Sequence, residues 1–153
     1  MNNFQWTSDG NVTLPLIDFN RLNEWLIDVA HTYGKIVGDL NYILCNDDKI
    51  LKINRQFLNH DYYTDIITFD RSSRGIVRGD IYISVDTVAD NAAEHNESYN
   101  IELMRVIVHG LLHLCGINDK APGEREKMEQ EENKALACIE KYINFSNSEL
   151  TIS

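Results

Sequence analysis

The run from Ile101 to Cys115 is apolar almost throughout, yet it places His109 and His113 four residues apart, in the string VHGLLHLCGINDK. Apolar residues at helical spacing from near Ser98 to about Cys115 predict a long, largely buried helix. Residues four apart on a helix lie one turn above each other, so the two imidazoles project side by side. They are either packing residues whose polar atoms are satisfied or a pair of ligands for one metal ion, the geometry of a zinc hydrolase helix.

The residues after the pair bear on that choice. Gly116 stands three positions after His113 and Asp119 three further on, giving H-x-x-x-H-x-x-G-x-x-D. A glycine there can stop the helix in a left-handed conformation and turn the chain back, bringing a third ligand to the first two. Carboxylate oxygen is an ordinary zinc ligand, whereas the neighbouring Lys120 carries an ammonium group with no lone pair to offer. His109, His113 and Asp119 are therefore the candidate ligands of one Zn2+, with a coordination position left open for water. The spacing is similar to that of metzincin proteases, except that Asp119 replaces their third histidine and Gly110 stands where their catalytic glutamate sits. Glu94, Glu97 or Glu102 would have to supply a base from elsewhere.

At 153 residues, 43% of them hydrophobic, the chain is the size of one domain with its own core, residues 1–153, with a frayed tail from about 145. Asp18 can cap a helix ending at Gly34. IVGDLNYILC reads as a strand, and Asn46 or Asp47 opens a helix to about Leu58. YTDIITFD and GIVRGDIYISV read as an antiparallel pair, followed by a helix from Ser84 or Asp86 to Glu94. Pro122 in a first turn starts a charged helix reaching roughly Tyr142, whose Glu129, Glu131 and Glu132 read as a solvated face. The expected class is α+β: a small mixed sheet of about four strands covered by about five helices, with the metal site on a long helix and its following turn. No apolar run is long enough to span a bilayer, and the N-terminus carries no secretion pattern, so a cytoplasmic location is expected. Cys45, Cys115 and Cys138 form no CxxC pair and read as reduced core residues.

A net charge of -10 argues against coating nucleic acid through bulk electrostatics. The balance is uneven, because residues 49–78 hold six basic against three acidic residues while the remainder holds eight against 21. Such a run is either a solvated face or a phosphate track.

Beyond composition and spacing, VHGLLHLCGIND resembles the HGxLHLxGxxH signature of the YbeY family of zinc-dependent endoribonucleases and ribosomal RNA maturation factors. INRQFLNHDYYTDIITFD resembles the family stretch LNxxxRxxDxPTDVLSFP, and GDIYIS its GDIxIS strand. The resemblance implies metal ligands at His109 and His113, with Asp119 in the place of the third family histidine. It implies cleavage of single-stranded RNA in precursors of ribosomal RNA, near the 3′ end of the 16S molecule, with the small subunit or its proteins as partners. Arg71, Arg74 and Arg78 then become candidate phosphate contacts, and Tyr62, Tyr63 and Phe69 either stack bases or pack in the core. Asp65 and Asp80 either orient the histidines or cap turns. Leu58 and Tyr63 depart from the family pattern, Leu58 replacing an arginine proposed to act in cleavage; Arg55, one turn earlier, is the candidate substitute. An assembly factor with little catalysis and a metallopeptidase are the alternative readings.

Overall fold

The computed structural model describes residues 3–58 and 64–143. The elements run β1 (Asn3–Ser8), α1 (Phe19–His31), β2 (Ile36–Cys45), α2 (Asp47–Phe57), β3 (Ile66–Asp70), β4 (Ile76–Ser84), α3 (Val85–Glu94), α4 (Tyr99–Leu114) and α5 (Glu124–Ala137), then a 3-10 turn at Ile139–Lys141. The sheet order is β1-β2-β4-β3; β2 runs parallel to both β1 and β4, and β3 pairs antiparallel with β4. The expected α+β class holds, with four strands and five helices among the described residues. β1 was not expected from the sequence. It is a six-residue edge strand in which only Phe4 and Trp6 are apolar, both half-buried, so its alternation covers too few residues to stand out.

Four helices begin where the sequence offers a side-chain acceptor. Asp18, Asn46, Ser84 and Ser98 each accept from a backbone amide of the first turn, satisfying donors that the helix itself leaves unpaired. α5 is different. Gly123 occupies its N-cap at φ +84°, a conformation no helix interior permits, so the helix starts after it. Pro122 thus precedes the cap instead of lying in the first turn. α5 also stops short of Tyr142, since the Ala135 carbonyl accepts from the Trp25 indole at 3.0 Å and from the Cys138 amide at 3.2 Å, closing the last turn. Cys45 and Cys115 are buried as expected, whereas Cys138, at that helix end, is exposed.

The two faces of the sheet are covered by different helices. Tyr42 of β2 and Ile81 and Ile83 of β4 pack with α1, α4 and α5 in the main core, and the Tyr42 hydroxyl donates to the Ile107 carbonyl of α4 at 2.8 Å. On the other face, Ile50 and Ile53 of α2 pack with Ile67, Phe69 and Tyr82. Phe69 meets Phe57 and Tyr82 edge to face, which places it with the packing residues. Tyr62 and Tyr63, like the tail from 144, lie outside the described residues.

Of the three α5 glutamates expected on a solvated face, Glu129 is exposed, whereas Glu131 and Glu132 are buried. Glu131 is buried, accepting from the Tyr33 hydroxyl at 2.5 Å and from Lys127 and Lys134 at 3.0 Å each. These bonds, the Tyr33 one foremost, hold its carboxyl down at about 2. A depressed folded pKa adds stability that is complete above the ordinary glutamate value and is lost as pH falls toward the folded value. Glu131→Gln should therefore cost roughly 2 kcal/mol at pH 7 and progressively less below pH ~4.5, the gap closing near pH ~2. Urea titrations at several pH values measure this; a penalty independent of pH would count against the assignment.

Candidate active site

The helix that carries the histidines is fixed at both ends. Ser98 caps it, and past its C-cap Cys115 the chain turns at Gly116, φ +102°. The Ile117 amide donates to the Leu112 carbonyl at 3.1 Å and the Gly116 amide to that of His113 at 3.0 Å. This pair of hydrogen bonds is the Schellman stop, which requires a left-handed residue and therefore favours glycine. The turn sends the chain back alongside α4, so that Asp119 Oδ2 comes to lie 3.4 Å from His109 Nε2.

The other side of the His109 ring is held from α5. Its Nδ1 lies 2.7 Å from Glu132 Oε2. A carboxylate only accepts, so in the neutral ring this bond places the proton on Nδ1 and leaves the Nε2 lone pair directed to the Asp119 side. Glu132 is itself buried and takes a second charge-assisted bond from Arg105 Nη1 at 3.0 Å. Burial alone would lower the His109 pKa, but the hydrogen bond and charge of Glu132, with Asp119 and Asp65 beyond it, outweigh burial and raise it.

These groups open into a cavity of about 820 Å³. Its walls include His109, His113 and Asp119, the acids Asp65, Glu97 and Glu102, and, on the α2 side, Asn54 and Leu58. Of the three glutamates considered as a base, Glu97 and Glu102 line the cavity and Glu94 does not. Burial raises the pKa of Glu102, and burial likewise raises that of Asp65 against the opposing charge of His109.

The donor chemistry suits zinc. Two atoms each about 2.0–2.1 Å from a tetrahedral zinc are about 3.4 Å apart, the separation of His109 Nε2 and Asp119 Oδ2. A second carboxylate on Nδ1 is the usual support of a zinc-binding histidine. Among the described residues, however, no three His, Cys, Asp or Glu side chains stand close enough together to hold an ion as they are. The His109–Asp119 pair is assembled; His113 shares the cavity wall.

Other expected residues lie elsewhere. Arg55 is exposed on α2 and does not line the cavity; it is turned about 100° from Asn54, which does. Asp80 sits on the sheet face opposite α4, accepting from Arg71 at 2.9 Å and Asn41 at 2.8 Å, because strand residues alternate and Gly79 and Ile81 take the α4 side. Asp80 thus orients no histidine. Arg71, Arg74 and Arg78 belong to the β3–β4 hairpin end, and none lines the cavity. β3 carries the chain away from the wall residue Thr68, so Arg71 lies about 10 Å further along it.

Sequence reasoning missed Glu132, Arg105, Lys120 and Arg125, all of which line the cavity. Arg105, His109 and His113 repeat every four residues on an apolar helix, and such a cationic stripe calls for a buried acid. The acid comes from another helix, so local spacing could not name it.

Fold and site together define an α+β domain with a histidine–carboxylate centre at the end of a buried helix, open to an acidic cavity. Residues 7–140 match the family model described as Endoribonuclease YbeY. The chain is 56% identical over 129 residues to the Endoribonuclease YbeY of Parabacteroides distasonis, covering 84% of this chain and 91% of that one. It is 58% identical over 128 residues to the Endoribonuclease YbeY of Phocaeicola vulgatus, covering 84% and 93%. The solution structure of TM1509 from Thermotoga maritima is similar in fold, with a TM-score of 0.63 and 28% identity over 91% of this chain and 90% of that one. The chain belongs to the YbeY family.

Proposed function

We propose that this protein is a zinc-dependent endoribonuclease that cuts single-stranded RNA in ribosomal RNA precursors, in 16S 3′-end maturation and small-subunit assembly in the cytoplasm. The observation that carries the reading is the His109 ring, held by Glu132 on one nitrogen and facing Asp119 with the other. Relatives at 56% and 58% identity named as endoribonucleases support the reaction class. Among the described residues no helix is long and apolar enough to cross a membrane.

His109, His113 and Asp119 would hold the ion, whose Lewis acidity would lower the pKa of water or polarise a phosphoryl oxygen. The chain's own groups do the rest. Glu132 keeps the proton on His109 Nδ1, and Arg105 holds Glu132 in place. Glu102 and Glu97 are the wall carboxyls available to take and return a proton.

A second reading, an assembly factor with little catalysis, is favoured by Leu58, which brings an uncharged side chain to the cavity wall. A peptidase is disfavoured at Gly110. A Cβ there would meet Ile81 at 3.0 Å and Ile66 at 3.1 Å, so the position faces the sheet and has no room for a glutamate. Purified protein should cleave a single-stranded ribosomal RNA fragment, lose that activity on chelation, and leave casein intact. Intact RNA under the same conditions would favour the assembly factor, and chelator-sensitive casein cleavage the peptidase.

A further inference from the structure

The cavity is a poor host for an anion on average. Among the described residues six carboxylates line it, Asp65, Glu97, Glu102, Asp119, Glu129 and Glu132, against Arg105, Lys120 and Arg125. A phosphodiester can dwell only where a cation is not already neutralised. Arg105 is committed to Glu132 at 3.0 Å, and the α2 wall contributes Leu58 and Asn54, which carry no charge. Lys120 and Arg125 remain. Both are exposed, both line the cavity, and neither makes an ion pair with any described residue. They flank the turn between α4 and α5, Lys120 directly after Asp119 and Arg125 in the first turn of α5, on the face that also carries Met128, Glu129 and Glu132 to the cavity.

From this distribution we infer that Lys120 and Arg125 form the phosphate clamp of the site, holding the RNA backbone on the Asp119 side of the cavity. The inference rests on the endoribonuclease reading. A guanidinium offers two parallel donors to one phosphate, and a lysine ammonium adds a point charge without reading sequence. The strand therefore enters along the α4–α5 turn, and the apolar Leu58 wall faces sugar or base. The hairpin arginines lie outside this path.

The test is binding of a fluorescein-labelled single-stranded RNA, by anisotropy over a series of salt concentrations, with KM and kcat for its cleavage. The variants are Arg125→Gln, Lys120→Gln, Arg74→Gln, and Arg125→Gln combined with Leu58→Arg. Arg125→Gln should raise Kd and KM about tenfold with kcat nearly unchanged. It should flatten the slope of log K against log salt by about 0.7 for each phosphate that is no longer neutralised, and Lys120→Gln should act in the same direction. Leu58→Arg should recover part of the affinity by restoring a cation to the cavity. Wild-type affinity and salt slope in both single variants would overturn the clamp, as would a larger loss from Arg74→Gln, which would move the track to the hairpin. Failure of the wild type to bind or cleave RNA would instead overturn the functional reading on which the clamp rests.

Discussion

Gly79→Ala should lower the stability of the domain by about 3 kcal/mol or more, a fall of roughly 10 °C in Tm for a chain of this size. A Cβ at Gly79 would lie 2.5 Å from the backbone carbonyl of Phe69 and 3.2 Å from Leu114 Cδ1. The first neighbour is main chain in a paired strand, which cannot rotate away as a side chain can. Gly79 pairs with Leu40 on one side and Asp70 on the other, so relief would require opening the β3–β4 ladder. The second presses on the last turn of α4, next to His113 and the Gly116 stop, so the variant that survives should also be a poor enzyme. By contrast, a Cβ at Gly38 would meet only side-chain atoms of Ile76 and Arg78, and its replacement should cost less. Urea midpoints for Gly79→Ala and Gly38→Ala decide the matter: equal, small shifts would show that the ladder yields and that the close approach is not required.

Removing Glu132 should act on the site more than any other change outside the ligands themselves. It is buried between Arg105 and His109, bonding to both. Glu132→Ala leaves the Arg105 guanidinium and the His109 imidazole without their shared carboxylate and frees His109 to rotate or to change tautomer. Loss of a carboxylate behind a metal-binding histidine typically weakens the metal about 10–100-fold, and the half-buried Arg105 left without its partner adds about 1–2 kcal/mol of instability. Glu132→Gln, which still accepts from Nδ1, should recover part of the metal affinity. Competition with a zinc chelator, alongside thermal melts of the metal-free proteins, separates the two effects. Unaltered zinc affinity in Glu132→Ala would mean that the His109–Glu132 bond serves packing alone.

How far the site is legible in the sequence depends on whether its parts are local. His109, His113, Gly116 and Asp119 lie within one helix end and one turn, and helix geometry with a left-handed glycine relates them without knowledge of the rest of the fold. The hairpin and the helix caps are local in the same sense. Glu132, Arg105, Lys120 and Arg125 acquire meaning only when α5 packs across α4, held by the Trp25–Ala135 bond from α1 and the Tyr33–Glu131 bond from the turn after it. Glu131 and Glu132 look like a solvated stripe because Tyr33, after α1, and Arg105 and His109, on α4, lie far from them in the sequence. Arg55 and Asp80 adjoin residues that face the α4 side, but helix rotation and strand alternation turn them away, while the hairpin arginines lie further along the strands than the wall residue Thr68.

The most direct measurement is the metal content of protein purified without added metal, by elemental mass spectrometry, for the wild type, His113→Ala and Asp119→Ala. The expected result is near-stoichiometric zinc in the wild type and its loss in both variants, drawing His113 into the site that His109 and Asp119 already frame. A wild type without metal, or zinc indifferent to both substitutions, would contradict the three-ligand centre and leave His113 and Asp119 as packing and turn residues.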